Sequence, residues 1–266
     1  MTKPSLLQSF AQNAKQCALR MLPEAILAAP KKRHYRKVVA EFLESEEPDL
    51  HIVKKLVDAG SSVFDVGANI GVYTRFLSQY VGVNGSVDSF EPIPPTFSYL
   101  ESNVRALGFA NVRAHLLALS DCPGVETMAV PTYSGGGNNF YQASLLGSSE
   151  GENVLEFKVR VETLDNIWHQ TEKPISFIKI DVEGAELSCI HGARECLQAH
   201  HPALLIEISG NMADSASRAG ELKDVLGELG YRPYFLQGTS LEPWAPGANS
   251  VNYFFLTSQQ LKSISS

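Results

Sequence analysis

The sequence predicts an α/β fold: a mainly parallel sheet with helices on both faces, preceded by an N-terminal helical extension. Three observations carry this. Short apolar, β-leaning runs alternate with helical stretches over about 62–108 and again over about 176–230, and such alternation builds crossovers within a parallel sheet. Val63, Phe64 and Val66 lead into a loop stripped of bulk at Gly67, Ala68 and Gly71, and then directly into a helix. That geometry brings a ligand to the backbone and to the positive helix N-terminus. Asp65 and Glu91 end successive strands, and open α/β sheets bind ligands at the carboxyl ends of their strands.

Taken in order, residues 5–57 read as helical: an N-terminal segment, then 34–44, then 49–58. In the last of these Leu50, Val53, Leu56 and Val57 form the apolar stripe. Gly60 stops that helix and the first strand follows at 62–66. A helix is expected over 70–81, the second strand over 86–90 and a helix over 95–107 ended by Gly108. The third strand covers 112–117. The alternation then breaks: residues 121–160 are rich in Gly, Pro, Ser and Asn, with β-like runs at 126–130 and 155–161, the pattern of an inserted hairpin with a glycine-rich tip. The fourth strand at 176–180, a helix over 185–197, the fifth strand at 203–208 and a helix over 214–229 capped by Gly230 resume it. Two β-runs, 232–236 and 252–256, close the chain.

With 266 residues, 44% of them hydrophobic, the chain suits one α/β domain of about 200 residues plus an extension better than two equal domains. The expected division is a helical extension over 1–58 and one domain over 59–266, with the insertion at about 121–160. The net charge is −7 and the one dense basic cluster, Lys31, Lys32, Arg33, Arg36 and Lys37, is followed at once by acids, so nucleic acid is not an expected partner. Cys17, Cys122, Cys189 and Cys196 have no metal-ligand spacing. Cys189 and Cys196 fall two turns apart on one predicted helix face and read as buried thiols, in keeping with a reducing, cytoplasmic setting. The histidines are scattered and no zinc site is expected. Polar residues from Gln8 to Arg20 interrupt the apolar N-terminal stretch. That argues against a transmembrane helix and a secretory signal and for an amphipathic packing helix.

The chemistry gathers at the strand ends. Asp65 at the loop mouth repels a pyrophosphate but suits an ammonium group, so the loop fits an amine-bearing nucleoside better than a dinucleotide. Glu91 is placed to accept both hydroxyls of a ribose, and Ser120 and Asp121 follow the third strand where an adenine amino group would lie. Asn69 stands at the middle-glycine position of a GxGxG-like loop and tolerates left-handed backbone angles better than most side-chain-bearing residues.

The runs 65–71 (DVGANIG), 90–92 (FEP), 119–121 (LSD) and 180–186 (IDVEGAE) resemble the FkbM family of S-adenosylmethionine-dependent methyltransferases over roughly 50–256. The resemblance implies a class I methyltransferase (Rossmann-like) sheet of seven strands, in spatial order 3-2-1-4-5-7-6 with the last strand antiparallel. It implies S-adenosylmethionine as cofactor, held by Asp65, Gly67, Ala68, Asn69, Gly71, Thr74, Glu91, Pro92, Ser120 and Asp121. The reaction implied is O-methylation of a hydroxyl on a sugar, glycan or polyketide-like small molecule.

Asp181, Lys179 and Glu183 are the expected catalytic residues. Lys179 lies in an apolar run, where an unpaired charge is costly. It projects to the same face as Asp181, so its expected partner is Asp181, Asp65 or Glu207. The pair is then either structural, or it sets Asp181 beside the reactive methyl as hydroxyl acceptor or general base; Glu183 and Glu186 join it there or cap the next helix. Tyr133, Phe140, Tyr141 and Trp168 are candidates to stack on the acceptor, and homo-oligomerisation through the extension is possible. No metal ligand is assigned. A divalent-metal-assisted O-methyltransferase and a non-enzymatic cofactor-binding partner protein are the alternatives. Asp65 in the first turn and the missing GxGxxG argue against a nicotinamide-dependent oxidoreductase.

Overall fold

The computed structural model describes residues 24–133, 137–138, 144–145, 154–170, 173–248 and 250–265. The helical segment expected before residue 24, Cys17, part of the glycine-rich tip, Phe140, Tyr141 and the Tyr133 side chain lie outside what is described.

The main sheet runs, in spatial order, β3 (Val112–His115), β2 (Ser86–Phe90), β1 (Ser62–Val66), β9 (Ile175–Ile180), β10 (Ala203–Glu207), β13 (Asn252–Leu256), β11 (Arg232–Gln237) and β12 (Ser240–Pro243). β1 pairs in parallel with β2 and β9, β9 with β10, and β13 is antiparallel to β10. The expected order 3-2-1-4-5-7-6 is present, one strand longer at its edge because β12 folds back on β11. Every residue of β1 and β9 is buried, as parallel strands covered on both faces must be.

On one face Val63, Val87, Phe177, Leu205 and Phe254 pack against α2 (Leu50–Leu56), α3 (Val72–Val81) and α9 (Ser258–Ser265). On the other, Phe64, Phe90, Ile178 and Ile206 meet α6 (Glu186–His191), α7 (Arg194–His200) and α8 (Arg218–Glu228). Ile52, Val53 and Leu56 of α2 sit inside the first of these cores. α1 (Glu24–Glu41) begins earlier than the expected helix and lies on α4 (Pro94–Leu107), with Tyr35 and Tyr99 ring centroids 4.7 Å apart. No helix among the described residues is long and apolar enough to cross a membrane.

Two expectations change. The third strand ends at His115. The chain then leaves the main sheet, and β4 (Ala118–Leu119) pairs with β8 (Val154–Glu162), which in turn pairs with β5 (Gly124–Tyr133) in the predicted hairpin, while the short β6 (Gly137–Asn138) and β7 (Ser144–Leu145) also pair with β5. The helix expected over 185–197 breaks into α6 and α7 at Gly192. A Cβ there would lie 2.0 Å from the Ser120 carbonyl oxygen, so the chain passes too close to the β4 end for a side chain. Asp165, in the short helix α5 (Leu164–Trp168), caps the restarted helix by accepting from the backbone N–H groups of Glu195 and Cys196. Cys189 and Cys196 are nonetheless both buried free thiols.

Candidate functional site

The loop after β1 takes its shape from residues that tolerate positive φ: Gly67 at 78°, Asn69 at 51° and Gly71 at 95°. Gly67 and Ala68 donate their N–H groups to the Phe90 carbonyl, which pins the loop to the end of β2. At Gly67 the lack of a side chain is also a packing requirement, since a Cβ would stand 1.7 Å from the Asp181 carbonyl oxygen. The first loop and the turn after β9 are thus in backbone contact, reinforced by the Asp181 N–H bond to the Val66 carbonyl at 3.0 Å.

Below this contact lies a buried ionic group. Register places Asp65 between Ser89 of β2 and Lys179 of β9, so the three share one sheet face. Asp65 is 0% exposed. Its Oδ2 accepts from Thr74 Oγ1 at 2.6 Å, while Oδ1 has no hydrogen-bond partner and lies 3.9 Å from Lys179 Nζ. Lys179 Nζ sits closer to Asp181, 3.0 Å from Oδ2, and 4.9 Å from the centre of the Tyr73 ring. Burial disfavours the ammonium, but Asp181 and then Asp65 outweigh it and hold Lys179 protonated above the usual lysine range. Burial pushes the Asp65 carboxyl above its ordinary value despite the opposing pull of Lys179 and Thr74, and the neighbouring Asp181 carboxylate adds to the rise.

A cavity of about 240 Å³ opens over the strand ends. Among the residues lining it are Gly67, Asn69, Glu91, Pro92, Ser120, Asp181 and Glu183. These are the sequence candidates that the fold brings together. Asp65, Ala68, Gly71, Thr74, Asp121 and Lys179 are not in its lining: the buried ones stand behind it, and Asp121 is exposed. Apolar walls come from Phe90, Ile93, Leu117 and Leu119, and the insertion adds Met128 and Val161.

Glu91 is 6% exposed. Its two oxygens accept from the Ile93 and Asn69 N–H groups at 2.9 and 3.1 Å. Burial pushes this carboxyl up to about 7, against the opposing pull of those two N–H groups. Each oxygen keeps a lone pair for a further donor.

On the opposite wall, Glu183 adopts a left-handed φ of 50° ahead of Gly184 at 99°, a conformation costly for a side-chain-bearing residue. Burial first, and then Asp181, Glu207 and Glu186, raise its carboxyl pKa.

Glu207, at the end of β10, lines this cavity and a second, smaller one of about 80 Å³ whose other residues include Glu47, Tyr73, Lys179, Asp181 and Asn252. Sequence reading offered Glu207 as a partner for Lys179 but did not assign it to a site, and it passed over Glu47, Tyr73 and Asn252. They come from three distant segments and only tertiary packing joins them. For Glu126 and Met128 of β5, which also line the larger cavity, the two-residue alternation of a strand with one inward face was the available signal. Trp168, an acceptor-stacking candidate, packs instead beside the core, with His200 edge-on at 5.4 Å. Among the described residues no group of three or more His, Cys, Asp or Glu is arranged to hold a metal ion.

Comparison with known proteins places this geometry among methyltransferases. Residues 65–233 match the Methyltransferase FkbM domain family. "Methyltransferase 1" of Beauveria bassiana is 23% identical over 199 residues, covering 70% of this chain and 76% of that protein. A protein-L-isoaspartate O-methyltransferase of Methanococcus aeolicus is 25% identical over 116 residues, covering 38% of this chain and 54% of its own length. Among solved structures, the methyltransferase FkbM of Methylobacillus flagellatus shares 18% identity with a TM-score of 0.45, covering 73% of this chain and 43% of that one.

Proposed function

The chain belongs to the FkbM family of methyltransferases, and we propose that it binds S-adenosylmethionine in the larger cavity and methylates a hydroxyl group of a sugar-like or other small-molecule acceptor. The observation that carries this reading is the convergence of Gly67, Asn69, Glu91, Ser120 and Asp181 on one cavity. An acceptor-only carboxylate with spare lone pairs stands at one side, and apolar side chains flank it on the other. That combination suits a nucleoside, whose ribose donates hydrogen bonds and whose base is flat and largely apolar on its faces. Bound there, S-adenosylmethionine would supply an electrophilic methyl group.

The chain's own residues do the rest. Glu91 accepts from vicinal hydroxyls, and Asn69 and Gly67 shape the wall that the ligand backs onto. Asp65 acts indirectly, holding Thr74 at the start of α3 and Lys179 on β9. Asp181 faces the acceptor side, its carboxylate fixed by Lys179, where it orients the acceptor hydroxyl and takes its proton. Glu183 stands beside it at the cavity mouth.

Glu91 makes the reading testable through pH. Hydroxyls donating to it favour its ionised form, so donor binding lowers its pKa and releases a proton wherever Glu91 starts protonated. Affinity for S-adenosylhomocysteine is expected to be flat above pH 7, near the value to which burial raises this carboxyl. Below that it falls by up to about tenfold per pH unit. In Glu91→Gln the slope disappears and affinity is low throughout. Calorimetric titration between pH 5.5 and pH 8.5 checks this; a wild-type affinity independent of pH, or a variant that keeps the slope, removes Glu91 from donor binding.

A further inference from the structure

The smaller cavity is bounded by Glu47, Tyr73, Lys179, Ile180, Asp181, Leu205, Glu207 and Asn252, and it shares Asp181 and Glu207 with the larger one. We propose that it is the acceptor's subsite, and that it takes an acceptor carrying a protonated amine near the hydroxyl to be methylated, an amino-sugar-like group in preference to a neutral or anionic one. This rests on the donor reading given above.

Position argues first. Asp181 and Glu207 line both cavities, so the two adjoin at these carboxylates, and an acceptor hydroxyl presented from the smaller one meets the donor beside a proton acceptor. Most of the lining is polar, which does not suit an apolar acceptor.

The decisive feature is the balance of charge and of hydrogen-bonding groups in the lining. Lys179 Nζ is held by Asp181 at 3.0 Å and lies 3.9 Å from Asp65. One N–H of the Asn252 amide donates to Asp49 Oδ2 at 2.8 Å, and the Tyr73 hydroxyl lies beside Glu47. Acceptors outnumber cations in this lining: the carboxylates of Glu47, Asp181 and Glu207 stand around one ammonium that already serves two carboxylates, with only an amide N–H and a hydroxyl beside it. Among the described residues the Glu207 carboxylate has no hydrogen-bond donor. Burial and neighbouring acids raise the pKa of both Glu47 and Glu207, as expected where carboxylates crowd without enough cation. A ligand bringing N–H⁺ and O–H donors satisfies this lining, whereas one bringing a carboxylate or phosphate adds repulsion.

The test uses ¹⁵N-labelled full-length protein saturated with S-adenosylhomocysteine, titrated separately with D-glucosamine, D-glucose and D-glucuronate at pH 7. Glucosamine is expected to shift the Asn252 side-chain amide and the backbone amides of Tyr73 and Lys179 saturably, about tenfold or more tighter than glucose, with no response to glucuronate. Glu47→Gln is expected to weaken glucosamine at least about fivefold while S-adenosylhomocysteine affinity holds. Equal response to glucose, no response to glucosamine at up to tens of millimolar, or shifts of these same amides by S-adenosylhomocysteine alone that abolish the glucosamine response would each overturn the proposal. Failure of S-adenosylhomocysteine to bind at all would instead strike the donor reading beneath it.

Discussion

Replacing Gly67 by alanine is expected to weaken donor binding on the order of 100-fold or more and to destabilise the fold by several kcal/mol. Two independent costs meet at this residue. Its φ of 78° lies in the left-handed region, where a Cβ costs roughly 1–2 kcal/mol. The added carbon would also stand 1.7 Å from the Asp181 carbonyl oxygen. Neither backbone yields cheaply. The loop is pinned by its bonds to Phe90, and the turn after β9 is held by the bond from Asp181 N–H to Val66. Forcing atoms into a packed site costs about 1–3 kcal/mol more. Relief comes only by pushing the loop away from the turn, which widens the cavity and displaces Asn69 from Glu91. Calorimetry with S-adenosylhomocysteine should show affinity reduced on the order of 100-fold or more, equivalent to about 2.7 kcal/mol. Wild-type affinity in a folded Gly67→Ala protein would mean that the loop and the turn do not hold the donor together.

Lys179→Met is the second large effect, and its signature is its pH dependence. Removing one partner of a buried ion pair leaves an uncompensated charge and typically costs about 3–5 kcal/mol. Both Asp181 and Asp65 lose their partner here, and the costlier loss is at Asp65, because Asp181 is a third exposed while Asp65 is fully buried with one oxygen unpaired. Its pKa is already raised by burial and rises further without the ammonium. A carboxyl whose folded pKa lies above its unfolded one binds its proton more tightly in the native state, so stability falls as pH rises through that interval. The variant should therefore melt on the order of 10 °C below wild type at pH 8, with a smaller gap at pH 5. The double variant Asp65→Asn with Lys179→Met removes both charges and should recover most of the loss. A pH-independent deficit that the double variant does not repair would indicate that Lys179 stabilises by packing alone.

The strands were legible because most of them are buried on both faces and must be written in apolar residues. The strand at 62–66 was bounded from its apolar run Val63, Phe64 and Val66, whereas its neighbour at 86–90, with polar Ser86, Asp88 and Ser89, was bounded by the Glu91–Pro92 stop that follows it. The cofactor-type loop was legible because positive φ favours Gly and Asn, and within this loop Gly67, Asn69 and Gly71 are where those angles occur. Asp65 was harder to place. It reads as a strand-end acid facing a ligand, yet it shares its phase with Val63, whose face packs against α2 and α3. The two-residue period pointed to burial, and the carboxylate's polarity concealed it. The break at Gly192 could not be read from the helical pattern either, because its cause is the Ser120 backbone, distant along the chain. For the same reason the smaller cavity was invisible: nothing local relates Glu47 and Asn252.

The account's central claim is that the strand-end cavity holds a nucleoside methyl donor with Asp181 at its reactive end. A crystal structure of the protein with S-adenosylhomocysteine tests this most directly. The ribose hydroxyls should lie on Glu91, the base among Phe90, Ile93 and Leu119, and the sulfur on the side of Asp181. A ligand bound elsewhere, or in this cavity with its ribose away from Glu91, would contradict it.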